Sequence, residues 1–169
     1  MQGIERQQII KEKLLNAETT ISANQFAKLF EVSRQTIVGD IALLRATGEK
    51  IDSTPQGYRY QQTRALSQIV VVQHTADQMA LELNTLIDVG VSIEDVQVEH
   101  PIYGLLKGAL SLHTKSDVQH FIDKYHEIQS ELLSSLTNGL HMHLLTYDEP
   151  DQLEMARQKL DELGMLYHN

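Results

Sequence analysis

The chain has 169 residues, 41% hydrophobic and 22% charged, with no cysteine and a formal net charge of −9. That length gives room for one large globular domain or two small ones. Without thiols there is no disulfide framework and no thiolate metal site, so transition-metal chemistry must rest on imidazole and carboxylate. No apolar run approaches the roughly 20 residues that span a bilayer, and the opening MQGIERQQII reads as a charged helix rather than a signal peptide, so a cytoplasmic protein with no membrane partner is expected.

The charge is unevenly placed. Residues 1–64 hold 9 basic and 7 acidic side chains, a balance of +2, whereas residues 65–169 hold 5 and 16, a balance of −11. An acidic body repels phosphate, so any nucleic-acid contact belongs in the first third.

Along the chain, Ile4, Ile9, Ile10, Leu14 and Leu15 mark the apolar stripe of a helix over 3–17. Ser22 is placed to cap a short helix over 23–30 that buries Phe26, Ala27 and Phe30. Ser33 caps a third over 34–46, with Ile37, Ile41 and Leu44 on its inner face and Gly48 as its stop. Alternating residues on either side of Pro55-Gln56-Gly57 then predict a hairpin. Three helices and a hairpin form a winged helix-turn-helix, whose third helix enters the major groove by its N-terminus. That puts Ser33, Arg34, Gln35 and Thr36 at the DNA, with Arg59 on the wing reaching an adjacent groove. Arg suits guanine, Gln suits adenine, and the hydroxyls suit phosphate. The alternative is a trihelical interaction module without DNA. The string LFEVSRQTIVGDIALLR resembles the helix-turn-helix of bacterial winged-helix regulators and favours the DNA reading. Gly39 departs from that pattern, because a longer polar side chain is usual at this point of the helix.

After a polar connector over 61–67, the order reads strand (69–73), helix (76–89), strand (96–99), strand (103–112), helix (116–130), strand (140–147), helix (150–164). This predicts an α+β chain: domain 1–62 is the winged helix-turn-helix, and domain 67–169 a mixed or antiparallel sheet covered on one face.

The second domain carries all eight of the chain's histidines. His141 and His143 flank Met142 in the strand over 140–147 and so point to the same face, about 6.5–7 Å apart at Cα. His74 ends the first strand of this domain, where Thr75 caps the next helix. Glu82 borders the buried stripe of Met79, Leu83, Leu86 and Ile87, and a carboxylate so near the core needs a partner. A metal held by His74, Glu82, His141 and His143 would supply one. Such a set suits zinc, nickel, iron or cobalt rather than calcium or magnesium. Histidine pairs at this spacing also occur without metal, so the reading depends on the fold bringing His74 and Glu82 to the pair. His100, in EHPIYG, lines a pocket or closes a turn, and His113, His120, His126 and His168 read as surface residues.

Residues 74–82 (HTADQMALE), 99–104 (EHPIYG) and 136–143 (LTNGLHMH) resemble the signature stretches of the three-histidine, or 3H, domain. Joined to a winged helix, the whole chain resembles the bacterial niacin-responsive transcriptional repressors. That resemblance implies a phosphocarrier-like α/β sandwich. It also implies one divalent metal per chain, nickel or zinc, on His74, Glu82, His141 and His143. It further implies nicotinic acid as effector and control of NAD synthesis or niacin uptake. His100 and Tyr103, then Thr137 and Asn138, are the expected ligand-binding residues. A homodimer on double-stranded operator DNA is expected, because two recognition helices must meet half-sites about 34 Å apart. No catalysis is expected. The rivals are a regulator for which the metal itself is the signal, and a metal-dependent hydrolase with a DNA-binding appendage.

Overall fold

The computed structural model describes residues 2–61, 64 and 66–168. The chain divides into two compact units, Met1–Gln62 and Thr63–Asn169.

The first unit holds helices α1 (Gly3–Leu15), α2 (Ala23–Phe30) and α3 (Arg34–Ala46), then a hairpin of β1 (Ile51–Thr54) and β2 (Gly57–Tyr60). The second and third helices begin and end where the caps and apolar spacing place them. Ser22 Oγ accepts from Gln25 N–H at 3.1 Å while Ser22 N–H donates to Gln25 Oε1 at 2.8 Å, a reciprocal box. Glu31, left-handed at φ 55°, turns the chain out of α2. Ser33 Oγ then accepts from Thr36 N–H at 3.0 Å and opens α3. Ile10, Leu14, Phe26, Ile37, Ile41 and Leu44 close the core. One charge lies within it: Asp40, on α3, is buried and accepts from Arg6 Nε at 2.5 Å and Gln7 Nε2 at 3.0 Å, fixing α1 against α3. The wing is anchored by an antiparallel bridge between Ile21 and Tyr58. Gly57 makes that approach feasible, since a Cβ there would stand 2.5 Å from Ile21 O.

The second unit runs β3 (Leu66–Gln73), a 3-10 turn (Ala76–Gln78), α4 (Met79–Asp88), β4 (Ser92–His100), β5 (Gly104–Leu112), α5 (Lys115–Ile128), a second 3-10 turn (Leu133–Thr137), β6 (Leu140–Tyr147) and α6 (Pro150–Glu162). The sheet order is β3-β6-β4-β5, with every pair antiparallel. Alternate strand residues (Val70, Val72, Ile93, Leu112, Leu145) form one core with Leu83 and Leu86 of α4, Val118 of α5 and Leu160 of α6. The helices therefore cover one face of the sheet, as an α+β open sandwich.

Several boundaries differ from the sequence reading: α1, α5 and α6 each end two residues earlier, β4 begins at Ser92 rather than at 96, and the starts of α5 and β3 also move. The α5 helix is capped by Thr114 rather than Ser116. Asp117 N–H donates to Thr114 Oγ1 at 3.0 Å and Thr114 N–H returns to Asp117 Oδ2 at 3.1 Å, so Ser116 falls inside the first turn. The β3 strand begins at Leu66, within the stretch read as connector, because it pairs with Tyr147 at the far end of β6. The 3-10 turn at Leu133–Thr137 has no periodic pattern to announce it. Among the described residues, no helix is long and apolar enough to cross a membrane.

Candidate metal centre and nucleic-acid interface

The β6 strand alternates between half-buried and buried along its whole length, with His141, His143, Leu145 and Tyr147 on the buried side. This puts both imidazoles under the helices. On the adjacent strand β3, Val72 pairs with His141 and Val70 with His143. His74 lies just beyond the end of β3, and Gly139 just before the start of β6. These two ends almost touch: a Cβ on Gly139 would stand 2.2 Å from His74 O. Gly139 also takes φ +85°, so glycine is required here twice over. Glu82 descends from α4 into the same space and is 1% exposed.

The four side chains meet. Glu82 Oε1 is 3.0 Å from His143 Nε2 and 3.5 Å from His141 Nε2, and Glu82 Oε2 contacts His74 Nε2. The ligand atoms of His74, Glu82 and His141 all lie within 4.8 Å of one another. Tetrahedral ligands about 2.0–2.1 Å from zinc stand roughly 3.3 Å apart, and Glu82 Oε1 lies on that scale from His143 Nε2 and His141 Nε2.

The far nitrogens define the near ones. His74 Nδ1 is 2.8 Å from Thr75 O, His141 Nδ1 is 2.8 Å from Gly139 O, and His143 Nδ1 is 2.6 Å from Asp95 O. A carbonyl only accepts, so each Nδ1 carries the hydrogen and each neutral ring turns an Nε2 lone pair inward. Three lone pairs and a carboxylate then face one another. Glu82 Oε1 and His143 Nε2 are both buried without a hydrogen-bond partner. Only a cation between them resolves this arrangement, either a metal or protons on the imidazoles. The residues present therefore fit a divalent transition metal.

Contact between these groups also shifts their proton affinities. Burial alone would raise Glu82, but His143, His141 and His74 outweigh it and hold the carboxyl well below its usual range. Burial alone would lower His74 and His143, but contact with Glu82 raises both.

Asp95 holds His143 in place. It sits where β4 slips by one residue against β6, between the Ile93–Leu145 and Gln97–Met142 pairs. That irregularity frees Asp95 O for the His143 ring and lets Asp95 Oδ1 accept from Leu144 N–H at 3.0 Å. The sequence reading did not single out Asp95, and nothing local in IEDVQ marks a bulge.

Two cavities adjoin the cluster. The inner one, about 40 Å³, is bounded by the four side chains and by Met79, Leu83, Phe121 and Leu133. The outer one, about 500 Å³, is bounded by Thr75, Tyr125, Glu131, Ser135 and Asn138. His74, Leu132 and Ser134 border both.

Of the ligand residues expected from sequence, Asn138 borders the outer cavity. Thr137 does not; its hydroxyl donates to Leu140 O at 2.5 Å and braces the turn into β6. His100 and Tyr103 lie at the β4–β5 turn and line neither cavity. His100 Nδ1 accepts from Ile102 N–H at 3.2 Å and Tyr103 N–H at 3.3 Å, which commits the ring to closing the turn. Tyr103 stacks on it, 73% exposed. His113, read as a surface histidine, is half-buried with Nδ1 2.8 Å from Ser92 Oγ.

In the first unit, Ser33, Arg34 and Gln35 are exposed at the N-terminus of α3, and Thr36 is half-buried with its hydroxyl 2.8 Å from that of Ser33. Gly39 is exposed on the same helix, with open space where a Cβ would be. Arg45 is exposed, and its guanidinium donates to Ile51 O at 2.8 Å and Ser53 Oγ at 2.7 Å and lies over the Tyr58 ring. Arg59 is turned inward, with Nε and Nη2 buried, along a cleft bordered by Leu14, Leu15 and Glu18. The wing arginine thus packs within its own unit, because its partner across the hairpin is Asp52 and its face of β2 meets the end of α1.

A helix-turn-helix unit followed by a unit with a buried three-histidine, one-carboxylate cluster defines a class: a DNA-reading domain joined to a domain whose buried side chains fit a metal ion. The 3H domain model matches residues 67–169, and a helix-turn-helix (HTH) domain model matches residues 5–59. The chain is 36% identical over 171 residues to Transcription repressor NadR of Bacillus subtilis, covering 98% of this chain and 95% of that one. It is 32% identical over 163 residues to Probable transcription repressor NiaR of Thermotoga maritima, covering 96% and 93%. The chain belongs to the family of transcription repressors that join a helix-turn-helix domain to a 3H domain.

Proposed function

We propose that this protein is a cytoplasmic repressor that binds operator DNA as a homodimer, holds one divalent metal per chain, and responds to nicotinic acid. One observation carries the sensing half of this reading: three imidazoles, each with its Nδ1 committed to a carbonyl, present Nε2 to one buried carboxylate. His74, Glu82, His141 and His143 would hold the ion, nickel or zinc by the chemistry of the set. When bound, it supplies positive charge and an exchangeable position to a carboxylate ligand.

The sizes of the two cavities support one orientation of the effector. A water-sized group needs roughly 10–15 Å³, so the inner cavity admits an ion and a carboxylate end but not a six-membered ring. The ring belongs in the outer cavity. DNA binding rests on Arg34 and Gln35, exposed at the N-terminus of α3. Nicotinate acts as co-repressor by favouring the arrangement of two recognition helices that fits the operator, and by linkage operator DNA then tightens nicotinate binding by the same factor.

The test is calorimetric titration of nicotinic acid into metal-loaded and chelator-stripped protein. Saturable binding to the loaded form alone is expected, and binding to neither would remove nicotinate as effector. A second reading, with metal itself as the signal, is favoured by the meeting of His74, Glu82 and His141 within one chain, with His143 Nε2 3.0 Å from Glu82 Oε1. Metal-dependent operator binding that nicotinate leaves unchanged would establish it.

A further inference from the structure

Gln97 is 2% exposed, yet it lies on the face of the sheet opposite the histidines. It pairs with Met142, which alternates with His141 and His143 along β6 and so points the other way. A buried amide needs a partner, and Gln97 Nε2 donates to Asp95 Oδ2 at 2.8 Å. Asp95 Oδ1 in turn accepts from the N–H of Leu144, the residue after His143, at 3.0 Å. An ionised carboxylate only accepts, so the nitrogen of the Gln97 amide, and not its oxygen, must face it.

Between the Ile93–Leu145 and Gln97–Met142 pairs, β4 carries one residue more than β6. Such an insertion disrupts the ladder and leaves strand groups in need of other partners. Here the Asp95 carboxylate takes the Leu144 N–H, and the Asp95 carbonyl accepts from His143 Nδ1 at 2.6 Å. One residue therefore grips β6 at two successive positions, by its side chain on one face of the sheet and by its backbone on the other. Gln97 holds the carboxylate in that grip.

On the reading that the cluster holds a metal, we propose that the Asp95 and Gln97 side chains form a clamp that sets metal affinity from the far face of the sheet. Neither side chain belongs to the ligand set. Both are positioning residues: they fix the bulge whose carbonyl keeps the hydrogen on His143 Nδ1 and the Nε2 lone pair toward Glu82. Loosening the clamp frees the His143 ring to turn away, and the set falls to His74, Glu82 and His141.

The experiment measures zinc affinity by chelator competition, and cobalt absorption, in full-length wild type, Asp95→Ala, Asp95→Asn and Gln97→Leu. Removing a partner that orients a ligand histidine costs about 10–100-fold in metal affinity, so Asp95→Ala should lose that much and Gln97→Leu a smaller part. Asp95→Asn keeps the acceptor for Leu144 N–H, and the Gln97 amide can turn its oxygen to the new nitrogen, so affinity should return toward wild type. The cobalt ligand-field bands should shift in Asp95→Ala, and NMR of the zinc-loaded protein should show the His143 Nδ1 hydrogen exchanging faster with solvent. A merely structural role would lower the melting temperature of stripped and loaded protein alike, with zinc affinity and cobalt bands unchanged, and that result would overturn the proposal. So would an Asp95→Asn variant as weak as Asp95→Ala, which would assign the effect to charge rather than to the hydrogen bonds. If wild type takes up neither metal, the metal reading itself falls and this proposal with it. Should Asp95→Ala fail to fold, Gln97→Leu must still show weaker zinc binding and shifted cobalt bands, or the clamp is excluded.

Discussion

Glu82 Oε1 and His143 Nε2 stand 3.0 Å apart, both buried, and neither has a hydrogen-bond partner. The contact joins the first turn of a helix to the middle of a strand that follows it much later in the chain. It is stable only with positive charge between the two atoms, and the first predictions concern the source of that charge.

Loading with nickel or zinc should stabilise the second unit. Free metal at a hundredfold over its Kd adds about 2.7 kcal/mol. Glu82→Gln keeps the shape but removes the charge, and should abolish most of this gain. Thermal melts of wild type and variant, with metal and with chelator, check it; an undiminished rise in Glu82→Gln would exclude the cluster as the binding site.

The pH response should differ in shape between loaded and stripped protein. Glu82 is depressed in the folded state, so its contribution is present above the unfolded carboxylate range and is lost as pH falls through the folded value. His74 and His143 are raised, so theirs is present below the unfolded imidazole range and is lost as pH rises through the folded values. The cluster therefore stabilises the stripped protein most between about pH 4.5 and 6.5, the ordinary values of the two groups. Above that window the stripped protein should weaken, while the loaded protein should gain because protons no longer compete for Nε2. Melting temperature against pH, with and without metal, gives the answer. Two parallel curves would rule the assignment out.

Gly139→Ala should destabilise the second unit by about 1–3 kcal/mol, the range for a non-glycine residue held in a disfavoured backbone region. The new Cβ meets His74 O, so the substitution should also displace a metal ligand and weaken metal binding. Urea midpoints and metal titrations separate the two effects.

In the first unit, Asp40→Ala leaves Arg6 partly buried and unpaired, and should cost about 3–5 kcal/mol, as breaking a buried pair does. Gly39→Ala should instead stabilise by about 0.5–1 kcal/mol, since the site is open and alanine is the better helix former. Denaturant unfolding of the two variants should show opposite signs.

Arg34→Ala and Gln35→Ala should each lower operator affinity by about 1–3 kcal/mol while leaving stability unchanged, because both side chains are exposed. Arg59→Ala should chiefly lower stability, because that side chain packs against the end of α1. Gel shifts paired with melting curves distinguish the two patterns.

By itself the sequence determined the elements and the chemical vocabulary of the site. Caps at Ser22 and Ser33 and the apolar spacing of Ile37, Ile41 and Leu44 placed α2 and α3, because such signals act within one or two helical turns. Alternation placed His141 and His143 on one face of β6, since side-chain direction in a strand depends only on parity. Which residues meet across the chain was left to the tertiary structure. The strand order β3-β6-β4-β5 sets β6 against β3 and so brings His74 to His141. The one-residue slip in β4 offers Asp95 O to His143. The β4–β5 turn claims His100 by local hydrogen bonds that a residue pattern does not reveal. Ser134, in a turn without periodicity, reached the junction of the two cavities only through packing. Local hydrogen bonding and side-chain parity can be read along a chain, whereas proximity between distant segments is decided by how the sheet is ordered and how the helices cover it.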